Sequence, residues 1–176
     1  LLDLLCVIFP FQLFEQQADH FAAGLLMPEP LLRRHINQTN FPGFEDIRRV
    51  VSEFNVSLSG LLSRWAQLTH FPCAAIGTLG GRIRFGWVSE SLRNSGCFRL
   101  RKDEVPDCRS FREFVTRHSP VCKYSQGDGQ GDTDYWIESE RSSFGTSELY
   151  FAIPHTGLIW TLLMYDETEF EPPWDE

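Results

Sequence analysis

Hydrophobic positions recur along this chain with two periods, and the change from one to the other falls near residue 70. Over 15–27, Ala18, Phe21, Ala22, Leu25 and Leu26 return at helical spacing, and Pro28 and Pro30 are expected to end the run. Over 44–54, Phe44, Ile47, Val50, Val51 and Phe54 form one stripe behind a Pro42-Gly43 turn. Over 58–68, Leu58, Leu61, Leu62, Trp65 and Leu68 form another, with Ser57 placed to cap its start. The link Asn55-Val56-Ser57 is short, so these two helices must pack at an angle, as in a helix-turn-helix.

Beyond Phe71-Pro72 the runs are β-rich. Strands are predicted over 73–79 and 82–88, joined by Gly80-Gly81, a two-residue hairpin signal. A short helix is predicted over 110–118 and an exposed Gly/Asp loop over 127–134. Three further strands are expected over 135–139, 148–153 and 158–165, the last two turning through Pro154-His155-Thr156-Gly157. The acidic, proline-bearing end from Asp166 is expected to fray. The fold class predicted is α+β: a helical segment over 1–70, an antiparallel sheet domain over 71–166, and an acidic tail over 167–176.

Composition narrows this outline. The chain has 176 residues, 42% of them hydrophobic, enough for one large domain or two small ones with real cores. Sixteen basic side chains against 24 acidic ones give a net charge of -8, which disfavours a protein that coats nucleic acid. Among the cations, Arg82, Arg84, Arg99 and Arg101 could line a positive surface, with a solvated sheet face as the plainer reading. Arg48, Arg49 and Arg64 are the only basic residues of the helix pair, and a packing role is expected for that pair rather than contact with DNA. The five cysteines are scattered and form no Cys-x-x-Cys pair, which fits reduced thiols in the cytoplasm. The apolar run from Leu1 to Phe14 is too short to span a bilayer and carries no signal-peptide features.

Candidate chemistry concentrates at Glu15 and Asp19. At about 100° per residue they lie roughly 40° apart, on the side of the predicted helix that also carries Ala22 and Leu26, while His20 points away. Carboxylates among apolar residues call for a cation such as a metal ion or a protonated histidine. Glu15 could instead be a solvated acid favoured by the helix dipole in the first turn. His118 and Cys122 are four apart with a proline between them and read as structural, and the acidic 127–131 stretch would repel phosphate.

The run Glu15-Gln16-Gln17-Ala18-Asp19-His20-Phe21-Ala22-Ala23-Gly24-Leu25-Leu26-Met27-Pro28 resembles the conserved block of the ImmA/IrrE family of zinc metallopeptidases. Phe54-Asn55-Val56-Ser57 and Leu61-Leu62-Ser63-Arg64-Trp65 resemble that family's next block. Glu148-Leu149-Tyr150 through Leu162-Leu163 is similar to the closing hairpin of members that carry a GAF-like or related (PAS-like) sensory domain. The resemblance implies a bacterial, cytoplasmic stress-response protein that cleaves a partner such as a transcriptional repressor. It also implies a zinc site in which two histidines of a His-Glu-x-x-His helix bind metal, the intervening Glu acts as general base and a downstream Glu is the third ligand. Glu15 matches that third ligand, and Asp19 matches the carboxylate that orients a ligating histidine.

The departure from the pattern lies in the histidines. His20, His35, His70, His118 and His155 include no pair four apart, so this chain holds no His-Glu-x-x-His and no assignable catalytic residue. Zinc belongs to the intact family, and this chain by itself is expected to bind none and to be inactive as a peptidase. It reads as a fragment, with the active helix upstream of Leu1, or as a degenerate member. The alternative, from a different class, is a non-catalytic sensing or interaction module that binds a small molecule or a partner through its β-rich half.

Overall fold

The computed structural model describes residues 21–38, 41–119, 122–139 and 143–166. Its centre is a five-stranded antiparallel sheet built from β1 (Cys73–Leu79), β2 (Arg82–Val88), β4 (Ser125–Asp132), β6 (Gly145–Ala152) and β7 (Leu158–Met164), in the order β2-β1-β7-β6-β4. A second, two-stranded sheet pairs β3 (Cys97–Leu100) with β5 (Ile137–Ser139). The architecture is therefore mixed helix and antiparallel sheet, as the two hydrophobic periods predict.

The β1–β2 hairpin forms as the Gly80-Gly81 signal requires. Both glycines have positive φ, 59° and 76°, the backbone that a two-residue turn matched to strand twist needs. Helices Phe44–Phe54 and Leu58–Leu68 match the predicted stripes. The first ends on Asn55 in the left-handed region at φ 50°, and the second starts on Ser57, whose Oγ accepts a bond from the Gly60 N–H at 3.0 Å. Helix Glu29–Ile36 was not predicted. The first run ends where Pro28 and Pro30 predict, with residues 21–26 helical and 27–28 not, but helicity resumes at Glu29. Pro30 lies in the first turn of a new helix, where its missing N–H costs nothing, and the Pro28 carbonyl accepts from Leu31 and Leu32 at 3.0 Å each. Helix Glu90–Asn94 and β3 were likewise absent from the prediction.

Alternation along the strands divides the core into two layers, one on each face of the sheet. Cys73, Ala75, Leu149, Phe151, Trp160, Leu162 and Met164 meet the buried residues of the first three helices, among them Leu32, Ile36, Ile47, Val50, Leu61, Leu62 and Trp65. On the other face, Ala74, Ile76, Tyr150, Ile159 and Leu163 meet Leu92, Cys97, Phe111, Phe114, Trp136 and Ile137. Each large apolar side chain so buried contributes roughly 1.5–3 kcal/mol.

Three expectations are corrected. First, the stretch over 127–134 is not a loop: residues 125–132 form β4, an edge strand paired with β6 along its whole length. Its inward positions are Gly127, Gly129 and Gly131, because helix Arg109–His118 and the β6 side chains lie too close for anything larger. A Cβ at Gly127 would come within 2.7 Å of the Phe114 ring, and one at Gly129 within 2.6 Å of Ser110 and of the Tyr150 hydroxyl. Second, the apolar face predicted over 15–27 does not face the core where it is described. Residues 21–26 are helical, yet Phe21 is 73% exposed, Leu25 69% and Leu26 56%, while Met27 is buried and Ala23 half-buried. Strand 135–139 is shorter than predicted, since Thr133–Tyr135 form a single 3-10 turn ahead of β5.

Candidate functional site

Glu15, Asp19 and His20 lie outside the described residues. The remaining histidines are dispersed: His35 Nε2 sits 3.2 Å from Glu53, His70 Nε2 lies 3.3 Å from Arg33 Nη1, His118 packs on Phe114, and His155 occupies the β6–β7 turn at φ 60°. Among the described residues no group of three or more His, Cys, Asp or Glu side chains is placed to hold a metal ion. Among them, too, no helix is long and apolar enough to cross a membrane.

Polar chemistry converges instead at three places. The first is closed to solvent. Glu148, 1% exposed, accepts from Trp136 Nε1 at 2.9 Å, Thr146 Oγ1 at 3.0 Å, Cys108 Sγ at 3.3 Å and the Tyr150 hydroxyl. Ser110 Oγ, 3.1 Å from the Tyr150 hydroxyl, donates a hydrogen bond to the Gln130 carbonyl of β4 at 2.9 Å. Among the described residues no cation pairs with Glu148; neutral donors satisfy it. Burial pushes the Cys108 thiol up, and burial followed by the Glu148 charge raises the Tyr150 phenol. A thiol held protonated and out of solvent is no nucleophile, so this cluster fastens β4, β6 and helix Arg109–His118 together.

The second place is a groove of about 550 Å³ on the β2 side of the sheet, floored by Gly86, Val88 and Leu100. Arg93, Arg99, Arg101 and Lys102 line it, opposed by Glu104 and Glu138. The turn at 101–104 is pinned over β2 by Asp103 N–H to the Ile83 carbonyl at 2.8 Å and Ile83 N–H to the Glu104 carbonyl at 2.9 Å, while Arg101 N–H bonds the Trp136 carbonyl at 3.0 Å. Arg99 reaches Glu138 at 3.5 Å and Arg101 reaches Glu104 at 3.8 Å. Among the described residues no carboxylate pairs with Arg93 or Lys102, and the buried Arg101 Nε has no partner. Four cations facing two carboxylates make a locally positive groove on an acidic chain. The predicted cluster is thus divided: Arg99 and Arg101 line the groove, whereas Arg84 pairs with Asp103 and Arg82 Nη1 bonds the Asp103 carbonyl at 2.8 Å. Arg93 was missed because it sits on the unpredicted helix Glu90–Asn94, which Ser89 caps through the Leu92 N–H.

The third place is a cleft of about 690 Å³ on the opposite face of β2, between residues 23–27, the start of helix Leu58–Leu68 and the Trp87–Trp160 pair. The two indoles stack with centroids 5.8 Å apart and planes 22° from parallel. Arg64 lines this cleft and is only 8% exposed. Arg48 and Arg49, by contrast, are exposed and paired with Glu45 and Asp46. The helix pair thus turns one of its three cations inward, into the fold.

No family model matches this chain, and no curated protein sequence matches it.

Proposed function

We propose that this chain is a sensing module that binds a small anionic molecule in the groove over β2, within a protein of metallopeptidase type that acts here by binding and not by hydrolysis. The observation that carries the reading is the convergence of Arg93, Arg99, Arg101 and Lys102 on one concave site, with Arg93 and Lys102 unpaired among the described residues. The five-stranded sheet order, with the first and last long strands adjacent at its middle, supports a GAF- or PAS-like sensory fold, in which a ligand is held against one sheet face. Isothermal titration of the full chain with inorganic pyrophosphate and with citrate tests it. Micromolar binding by at least one, weakened at least tenfold in Arg93→Ala/Lys102→Ala and by raised salt, is expected. Absence of binding by both anions refutes it.

The peptidase reading is a second proposal, supported by the Glu15 to Pro28 block and by Asp19 one turn beyond Glu15. In that reading a transcriptional repressor or similar protein is the partner, and Glu15 contributes one ligand to a zinc site completed by histidines this chain does not supply. Translation of the coding sequence upstream of Leu1 separates the two. An in-frame His-Glu-x-x-His there supports the metallopeptidase site, and its absence refutes it.

A further inference from the structure

Arg64 poses a physical problem that the groove over β2 does not address. It lies on helix Leu58–Leu68 between Leu61 and Leu68, in the stripe that packs on the sheet, and 92% of it is removed from solvent. A buried guanidinium is strongly disfavoured unless an anion and several acceptors meet it. Among the described residues its buried Nε has no hydrogen-bond partner and no carboxylate forms an ion pair with it. Glu29 feels its charge but is already bonded to Arg33 at 2.8 Å.

The lining of the cleft that Arg64 shares is mixed in character. Leu26, Met27, Val56 and the stacked Trp87–Trp160 pair are apolar, and Ser59, Ser63 and Gln67 are polar. Ser59 Oγ accepts from Trp160 Nε1 at 2.8 Å and keeps its own proton for a further acceptor. The cleft volume falls in the range that encloses a small organic ligand.

We propose that this cleft binds an amphipathic monocarboxylate, the carboxylate meeting Arg64 with help from Ser59, and the apolar body lying against Trp87, Leu26 and Met27. The site shares no residue with the groove over β2 and does not depend on the function proposed for it. A planar fork of N–H donors suits a carboxylate, and a single buried cation suits a single negative charge.

Octanoate is the probe, with octanamide as its uncharged counterpart, titrated calorimetrically into the full chain. Octanoate should bind with unit stoichiometry, and octanamide about tenfold to a hundredfold more weakly, the usual worth of a charged hydrogen bond. Arg64→Met should lower octanoate affinity to that of octanamide without lowering the melting temperature of the free protein, because it removes a charge that has no partner. Arg93→Ala, in the other groove, should leave octanoate binding unchanged. Equal affinity for acid and amide, wild-type binding by Arg64→Met, or no binding of octanoate by the wild type each overturn the proposal. A fall in the melting temperature of Arg64→Met together with no octanoate binding assigns Arg64 to a carboxylate of the chain itself. The acid-to-amide comparison uses wild-type protein and stands even where the variant does not fold.

Discussion

Replacing Glu148 by leucine tests whether the buried polar cluster fastens the fold. The substitution keeps approximate side-chain size and removes the acceptor for Trp136 Nε1–H, Thr146 Oγ1–H, Tyr150 O–H and Cys108 S–H at once. These donors do not suffer equally. The Tyr150 hydroxyl has Ser110 Oγ at 3.1 Å to turn to, the thiol is a weak donor, and the Thr146 hydroxyl can rotate. The Trp136 indole cannot move, since it is fully buried and its ring is held edge-on by Phe111 at 5.0 Å. One or two donors left orphaned at about 1–3 kcal/mol each give a loss of roughly 1–6 kcal/mol, a large part of the ~5–15 kcal/mol of a whole domain. With a urea slope near 2 kcal/mol/M, the midpoint should fall by about 0.5–3 M. Equilibrium urea unfolding followed by tryptophan fluorescence measures it. Trp136→Phe in the Glu148→Leu background removes the fixed orphan and should recover about 1 kcal/mol or more, a positive coupling in a double-mutant cycle. A Glu148→Leu midpoint equal to wild type, or a double variant no better than the single, refutes the account.

Glycine spacing in β4 gives a second expectation. Gly131→Ala would drive a Cβ into Glu148 Oε1 and within 3.1 Å of Cys108 Sγ, and should cost about 1–3 kcal/mol in urea unfolding. Gly145→Ala, with open space around it at the start of β6, should be neutral or slightly stabilising. Thiol accessibility gives a third. Cys73, Cys97 and Cys108 are buried and Cys122 is exposed, so in a Cys6→Ser background the native protein should release one equivalent in an Ellman assay and the unfolded protein four. The fourth concerns alkaline pH. Burial raises the Cys73 thiol from 9.0 to about 12, so between those values the unfolded chain loses a proton that the folded chain keeps. Stability from this group is complete below pH 9 and declines as pH rises toward 12, and Cys73→Ala should flatten that limb of the pH–stability curve.

Legibility in the sequence followed how directly a local signal encodes tertiary contact. Gly80-Gly81, the two helical stripes of 44–68 and the Ser57 cap were readable because each is decided by residues within one turn of the backbone. Strand β4 was not. A strand whose inward positions are all glycine shows no apolar alternation, and the reason for the glycines is a helix that lies nearby only in the folded chain. Pro28 and Pro30 mark the end of one helix and also open the next, which stays hidden in the sequence because Leu32 with Ile36 supplies only two buried positions. At the sites, Arg99 and Arg101 were visible as a cluster, while Arg93 depended on a five-residue helix too short to show a period. Arg64 occupies the third position after Leu61 and the fourth before Leu68, squarely in the buried stripe, and a cation there calls for an acceptor that the sequence alone does not point to.

The pairing of β1 with β7 also governs how the protein can be made. These strands are neighbours in the sheet, from Cys73 opposite Met164 to Leu79 opposite Leu158, yet some eighty residues of chain separate them. Until the last strand is delivered, the β1–β2 hairpin and the β4–β6 side of the sheet have no shared partner, and each presents a bare apolar edge. During synthesis the sheet must therefore wait for its final strand, and a chain released just short of residue 158 is left with two sticky halves instead of a smaller stable protein.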